Sequence, residues 1–194
     1  MERKYKLTDE CMQYVGHKLY RIQSLRSFSD VEEGELGGYI ESEDNLSHDG
    51  MCWVYDEAKV FGNAKVYNNA KVCGNAKVYG KAEVRGDAKV FDCAYVLGNA
   101  EVFGNAKVCN NAEVRGDAKV YKNGDYIVFK NWWSSGRYFT WTRSNNKWKV
   151  GCFWGTGAEL INKAYEDSEL SGREYERVVK YVESILADEN AQKK

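Results

Sequence analysis

Residues 58–123 read AKVFGN, AKVYNN, AKVCGN, AKVYGK, AEVRGD, AKVFDC, AYVLGN, AEVFGN, AKVCNN, AEVRGD and AKVYKN, eleven consecutive hexapeptides with no residue inserted or lost. In each unit Ala and Val stand two residues apart, as Ala64 and Val66 do, so both side chains share one face of a short strand and the residue between them faces out. Ten of the eleven fifth positions hold Gly, Asn or Asp, types that tolerate the left-handed backbone a chain needs to turn a corner every six residues. A helix is excluded: Gly or Asn at that frequency would break it, and the apolar spacing does not follow a 3.6-residue period. A parallel β-helix fits, its rungs stacked about 4.8 Å apart.

The repeat resembles the left-handed β-helix of the hexapeptide-repeat proteins, in which three hexapeptides make one triangular coil. Left-handedness is what the resemblance implies, since general connection rules favour the opposite hand. The interior is Val and Ala alone, so a dry prism with no room for a ligand is expected, and function is sought on its flanks and attachments. Residues 34–57 continue the six-residue frame in decayed form, with Cys52-Trp53-Val54 in register and the first rung near Gly38. The expected organisation is an N-terminal β cap over 1–33, the β-helix over 34–123 and a C-terminal α+β module over 124–194.

In the cap, Leu19 to Leu25 alternate as a strand does. In the module, Asp125–Phe129, Tyr138–Arg143 and Lys147–Phe153 read as strands, with a turn at Ser144-Asn145-Asn146. Thr156 to Glu159 is a capping box opening a helix to about Ala164, and Ser171 to Glu174 reads as a second box. Behind it Tyr175, Val178, Val179, Val182, Ile185 and Leu186 share a helical face, and a frayed tail is expected from Ala187.

Net charge of −1 gives no global attraction to duplex nucleic acid or to anionic membrane. The segment from Met1 to Glu10 lacks a signal-peptide apolar core, and no apolar run approaches a membrane span. Six dispersed cysteines, none in a Cys-x-x-Cys pair, read as free thiols of a cytoplasmic protein.

Over nearly its whole length the chain also resembles phage- and prophage-encoded β-helix proteins of unassigned function. The likeness rests on Leu19-Tyr20-Arg21-Ile22, Gly37 to Glu43, Asn45 to Gly50, Cys52 to Asp56 and Gly151 to Thr156. It implies a mobile-element protein that binds rather than catalyses. Many hexapeptide-repeat proteins are acyltransferases, using a general-base His with acyl-CoA lying between neighbouring prisms. Here the repeats contain no His; the two in the chain are His17, in the cap, and His48, at a position directed into the first coil. No metal-ligand set, nucleophile–base pair or phosphate loop is legible, and no cofactor is expected.

Two surfaces stand out as binding candidates. Stacking aligns Lys71, Lys89 and Lys107 beneath Trp53, an anion-binding face in prospect. In the module, Trp132, Trp133, Trp141, Trp148 and Trp154 fall within 23 residues. Trp141 and Trp154 are assigned to the core. Trp132 and Trp133 with Ser135, Arg137 and Arg143 offer stacking surfaces, a hydroxyl and guanidinium groups, suited to a nucleobase and phosphate.

The sequence alone therefore points to a non-catalytic homo-oligomer, trimeric through the prism faces, that counters host defence by sequestering a nucleotide signal or occupying a defence protein. A hexapeptide-repeat acyltransferase and a structural or assembly protein are the alternatives.

Overall fold

The computed structural model describes residues 2–192, and it is mainly β: a left-handed parallel β-helix of about five turns, with a small C-terminal module carrying two helices. The chain divides into two units. One runs to Ile127 and includes Thr142–Asn145; the other comprises Val128–Trp141 and the chain from Asn146 onward.

The first unit opens with a hairpin of β1 (Tyr5–Tyr14) and β2 (His17–Ser24), which pairs with β3 (Leu36–Ile40), the first rung. Twelve two-residue strands follow, β4 (Trp53–Val54) through β15 (Lys119–Val120). They stack in three parallel ladders: Trp53, Lys71, Lys89 and Lys107; Lys65, Glu83, Glu101 and Lys119; and Tyr39, Lys59, Tyr95 and Glu113 with Lys77 between. Every Ala and Val of the eleven repeats is buried. Burying a valine is worth about 1.5–3 kcal/mol, so the repeated pair is what holds the prism together.

The corners need left-handed backbone. Asn68, Asp92 and Asn110 adopt φ of 60°, 58° and 60° where other repeats have glycine. At Gly98 (φ +76°) a Cβ would stand 3.0 Å from the amide nitrogen of Gly116 in the next coil, so rung stacking as well as φ selects glycine.

Most rung hydrogen bonds run in one sense, the reciprocal bonds of parallel pairing lying within the strands. Lys59 N–H donates to Ala76 carbonyl, Lys77 to Ala94, and Tyr95 to Ala112, each toward the following coil. The first coil is left mainly with unmatched carbonyls and the last mainly with unmatched N–H groups. Lys4, wholly buried, donates from Nζ to the Cys52 carbonyl at 2.8 Å, and the Tyr5 hydroxyl donates to the Leu46 carbonyl at 2.6 Å. At the other end the caps are acceptors. Asn123 Oδ1 takes Lys107 N–H, Asp125 Oδ2 takes those of Tyr121 and Lys122, and Ser144 Oγ takes that of Lys119.

Trp53 keeps its expected register but is buried rather than outward. Tyr5 and Phe28, from the segment before the prism, meet its ring edge-on at 6.0 and 5.4 Å.

The second unit carries most of a four-stranded sheet of β16 (Tyr126–Lys130), β17 (Tyr138–Thr142), β18 (Lys147–Val150) and β19 (Phe153–Gly155), then α1 (Gly157–Asp167) and α2 (Glu169–Ala191). Thr156 caps α1 with Glu159 in the expected box, though α1 runs on to Asp167. The second cap is Ser168, not Ser171; Ser171 lies inside the first turn of α2 and donates its N–H to Ser168 Oγ. A Cβ at Gly172 would strike the Tyr165 ring, so that glycine serves helix packing rather than a start signal. The helix continues to Ala191, through the tail expected to fray. Trp154, assigned to the core, is 42% exposed, while Trp141 and Trp148 are buried. Antiparallel pairing sets Trp148 opposite Gly155 and Lys149 opposite Trp154, which puts the two indoles on opposite faces of the sheet.

Two substitutions test this account by equilibrium denaturation. Gly98→Val should cost about 1–3 kcal/mol, whereas Asn110→Gly should leave the midpoint nearly unchanged. Lys4→Met, which abandons the Cys52 carbonyl, should cost about 1–3 kcal/mol; an unaltered midpoint would remove Lys4 as a cap.

Candidate functional site

The β1–β2 hairpin turns through Val15 (φ 48°) and Gly16 (φ 83°), pairing Tyr14 with His17 across two residues. A β-branched residue in the left-handed region is strained. The tight turn leaves His17 no slack in position. Its ring lies 5.0 Å from that of Phe61, and Phe61 stacks parallel on Tyr79 at 4.9 Å, so an aromatic floor extends beneath it.

His17 Nδ1 lies 2.9 Å from Glu41 Oε1. The other carboxylate oxygen, Oε2, accepts the backbone N–H of Gly62 at 2.7 Å, which fixes the carboxylate. The His17 hydrogen bond, aided by that of Gly62, holds the Glu41 carboxyl below the usual carboxylate range, although burial opposes the shift. With Nδ1 as donor to Glu41, Nε2 is the basic nitrogen of the ring, and no hydrogen bond engages it among the described residues.

Beside the pair lies a groove of 810 Å³, lined by Ser42, Ser47, Gly62, Asn63, Tyr67 and Glu83 among others. Neither His17 nor Glu41 lines it; the link is through Ser42, next in the chain to Glu41, and Gly62, whose N–H the carboxylate accepts. Across it the Tyr67 hydroxyl donates to Glu83 Oε2 at 2.7 Å; burial first, then Glu83, pushes the phenol up to about 12.

His48 is differently placed. It stacks on Tyr5 at 4.2 Å, and its Nδ1 accepts the backbone N–H of Lys4 at 3.2 Å. The lone pair a base would use is therefore engaged, and the proton falls on Nε2, buried 3.6 Å from a Glu43 oxygen.

The residues singled out from sequence are dispersed. Lys71 is bound to Asp30 at 2.6 Å, and Asp30 also accepts the Tyr55 hydroxyl at 2.7 Å; Lys89 and Lys107 are exposed on the same ladder. In the second unit Trp132 is 73% exposed, whereas Trp133 packs edge-on against Tyr175 at 4.9 Å. Ser135 and Arg137 line a separate small cavity in that unit. Arg143 belongs to the first unit, where its Nε donates to the Gly124 carbonyl at 3.1 Å. Sequence reading missed the His17–Glu41 pair because its members are 24 residues apart and belong to no repeat.

Among the described residues, no group of three or more His, Cys, Asp and Glu side chains gathers as a metal site requires. No helix among them is long and apolar enough to cross a membrane.

Protonating Glu41 should loosen the hairpin. A carboxyl depressed in the folded state contributes stability above its ordinary titration range and loses it as pH falls. Between about pH 5 and pH 3, the thermal midpoint of the native chain should therefore drop further than that of Glu41→Gln. Parallel curves would show that the pair contributes nothing to stability.

No family model matches the chain. Over 71 residues it is 39% identical to the uncharacterized acetyltransferase YdcK of Escherichia coli (strain K12), a match covering 32% of this chain and 22% of that protein. The chain thus spans under a quarter of this relative's length. The likeness corrects the expectation of a non-catalytic phage-type binder without enzymatic activity: of the classes weighed from sequence, it favours the hexapeptide-repeat acyltransferase.

Proposed function

We propose that this chain is a hexapeptide-repeat acyltransferase-like enzyme that moves an acetyl group from a thioester to an amine or hydroxyl, with His17 as general base. The observation that carries the reaction class is the likeness to an acetyltransferase. The His17–Glu41 pair, bonded to Gly62 of an open polar groove, supplies a residue for it.

In this reading His17 Nε2 takes the proton of the acceptor as its nitrogen or oxygen attacks the thioester carbonyl. Glu41 stabilises the imidazolium that forms and keeps the ring in one tautomer. Collapse of the tetrahedral adduct breaks the C–S bond, and the imidazolium returns its proton to the departing thiolate. Acylated acceptor and free thiol are the balanced products. Gly62 N–H acts at one remove, by holding the carboxylate. The proposal includes a homo-oligomer, a trimer as the resemblance implies, in which a neighbouring prism would close the open side of the groove.

The test is thiol release from acetyl-coenzyme A in the presence of amine and hydroxyl acceptors. His17→Gln should lower the rate by about 10²–10⁴-fold, and His48→Gln should retain it. Turnover that survives His17→Gln, or native protein that releases no thiol with any acceptor, would overturn the assignment.

A further inference from the structure

The second unit holds a cavity of 330 Å³ that the acyl-transfer reading does not use. Its rim is a loop fixed by its own hydrogen bonds. Asn131 N–H donates to the Arg137 carbonyl at 2.8 Å, closing the loop, and Gly136 (φ +67°) makes the bend. Buried Asn131 donates from Nδ2 to the Tyr175 hydroxyl at 2.9 Å and to Ser134 Oγ at 3.1 Å, tying the loop to α2. Arg137 is thereby set in the cavity's lining. Its Nη1 reaches 3.5 Å from where a Cβ on Gly151, another lining residue, would stand.

Asp167, the last residue of α1, also lines the cavity. A carboxylate at a helix C-terminus opposes the helix dipole, so local structure gives no reason for it there. Its charge is felt at the Tyr175 hydroxyl, which burial and Asp167 together push up in pKa. Arg137 and Asp167 line the same cavity, yet neither is in an ion pair among the described residues. Lys163, which also lines it, pairs with Glu166 at 2.7 Å and also feels the Asp167 charge. The lining also includes apolar side chains, Phe153, Leu160 and Ala164, beside polar ones such as Asn131, Ser134 and Ser171.

Two opposite charges on one small, partly apolar cavity complement a ligand that carries both charges itself. We propose that this cavity binds a small zwitterion of the α-amino-acid class. The carboxylate would sit on the Arg137 guanidinium, the ammonium on Asp167, and the side chain on Leu160 and Ala164. A volume of 330 Å³ is at the small end of ligand sites, in keeping with such a ligand. The site stands apart from the His17 assignment, and the failure of either leaves the other intact.

The experiment is calorimetric titration of the full chain with free L-amino acids, with the amines that lack their carboxylate, and with the acids that lack their ammonium group. Saturable binding is expected for at least one amino acid, and binding at least about tenfold weaker for its amine and its acid. Arg137→Gln should erase the preference for amino acid over amine, and Asp167→Asn the preference for amino acid over acid. Both side chains are exposed, so both variants should keep the native circular dichroism spectrum. Absence of saturable heat with every amino acid up to about 10 mM would overturn the proposal. So would unchanged affinity in both variants.

Discussion

Hydrogen bonds that run mostly one way along the coil axis govern this molecule. In a closed barrel every strand finds a neighbour, but a stack of rungs has a first and a last member. Because each coil donates more bonds to the next than it accepts back, the first edge is rich in acceptors and the last in donors. The caps answer in kind. Donors, the Lys4 ammonium and the Tyr5 hydroxyl, close the first edge, and acceptors from Asn123, Asp125 and Ser144 close the last. Lys4 has to enter the interior to do this, and desolvation lowers its pKa. A residue so costly to bury is retained where carbonyls would otherwise be stranded.

The same geometry decides where chemistry can occur. Valine and alanine leave no space on the axis, so a reacting group must be brought to a flank by something outside the repeat. The hairpin does so. Its strands extend the sheet that begins at β3, and its turn overhangs the corner where Phe61 and Gly62 lie. Glu41 then joins two structures, accepting from the hairpin's imidazole with one oxygen and from a corner amide with the other. A corner glycine forced into left-handed backbone thus presents the N–H that orients the carboxylate.

What could be read from sequence follows from how local each signal is. Strand register, inward Ala and Val, and left-handed corners at Asn68, Asp92 and Asn110 are consequences of a six-residue period, and all are visible in it. The Thr156 cap is equally local. Tyr5–Tyr14 was not legible as a strand because it is an edge strand with one partner and weak alternation. Trp154 was misassigned because composition cannot tell which face of a short hairpin an indole takes, whereas register can. The tryptophan cluster suggested one site, yet its residues serve a core, an exposed tip and a cavity rim, and Arg143 belongs elsewhere. The His17–Glu41 pair depends on a tertiary contact with no sequence period at all.

Because the two edges are sealed by residues outside the repeat, and because every interior coil is interchangeable with its neighbours, the number of turns is free to vary. A whole coil could be added or removed between Gly80 and Asn105 without disturbing Lys4, the hairpin or the closing acceptors. Evolution can therefore lengthen or shorten this shaft in steps of one turn while the equipment at either end stays the same, as with a tool whose handle is sold in several sizes.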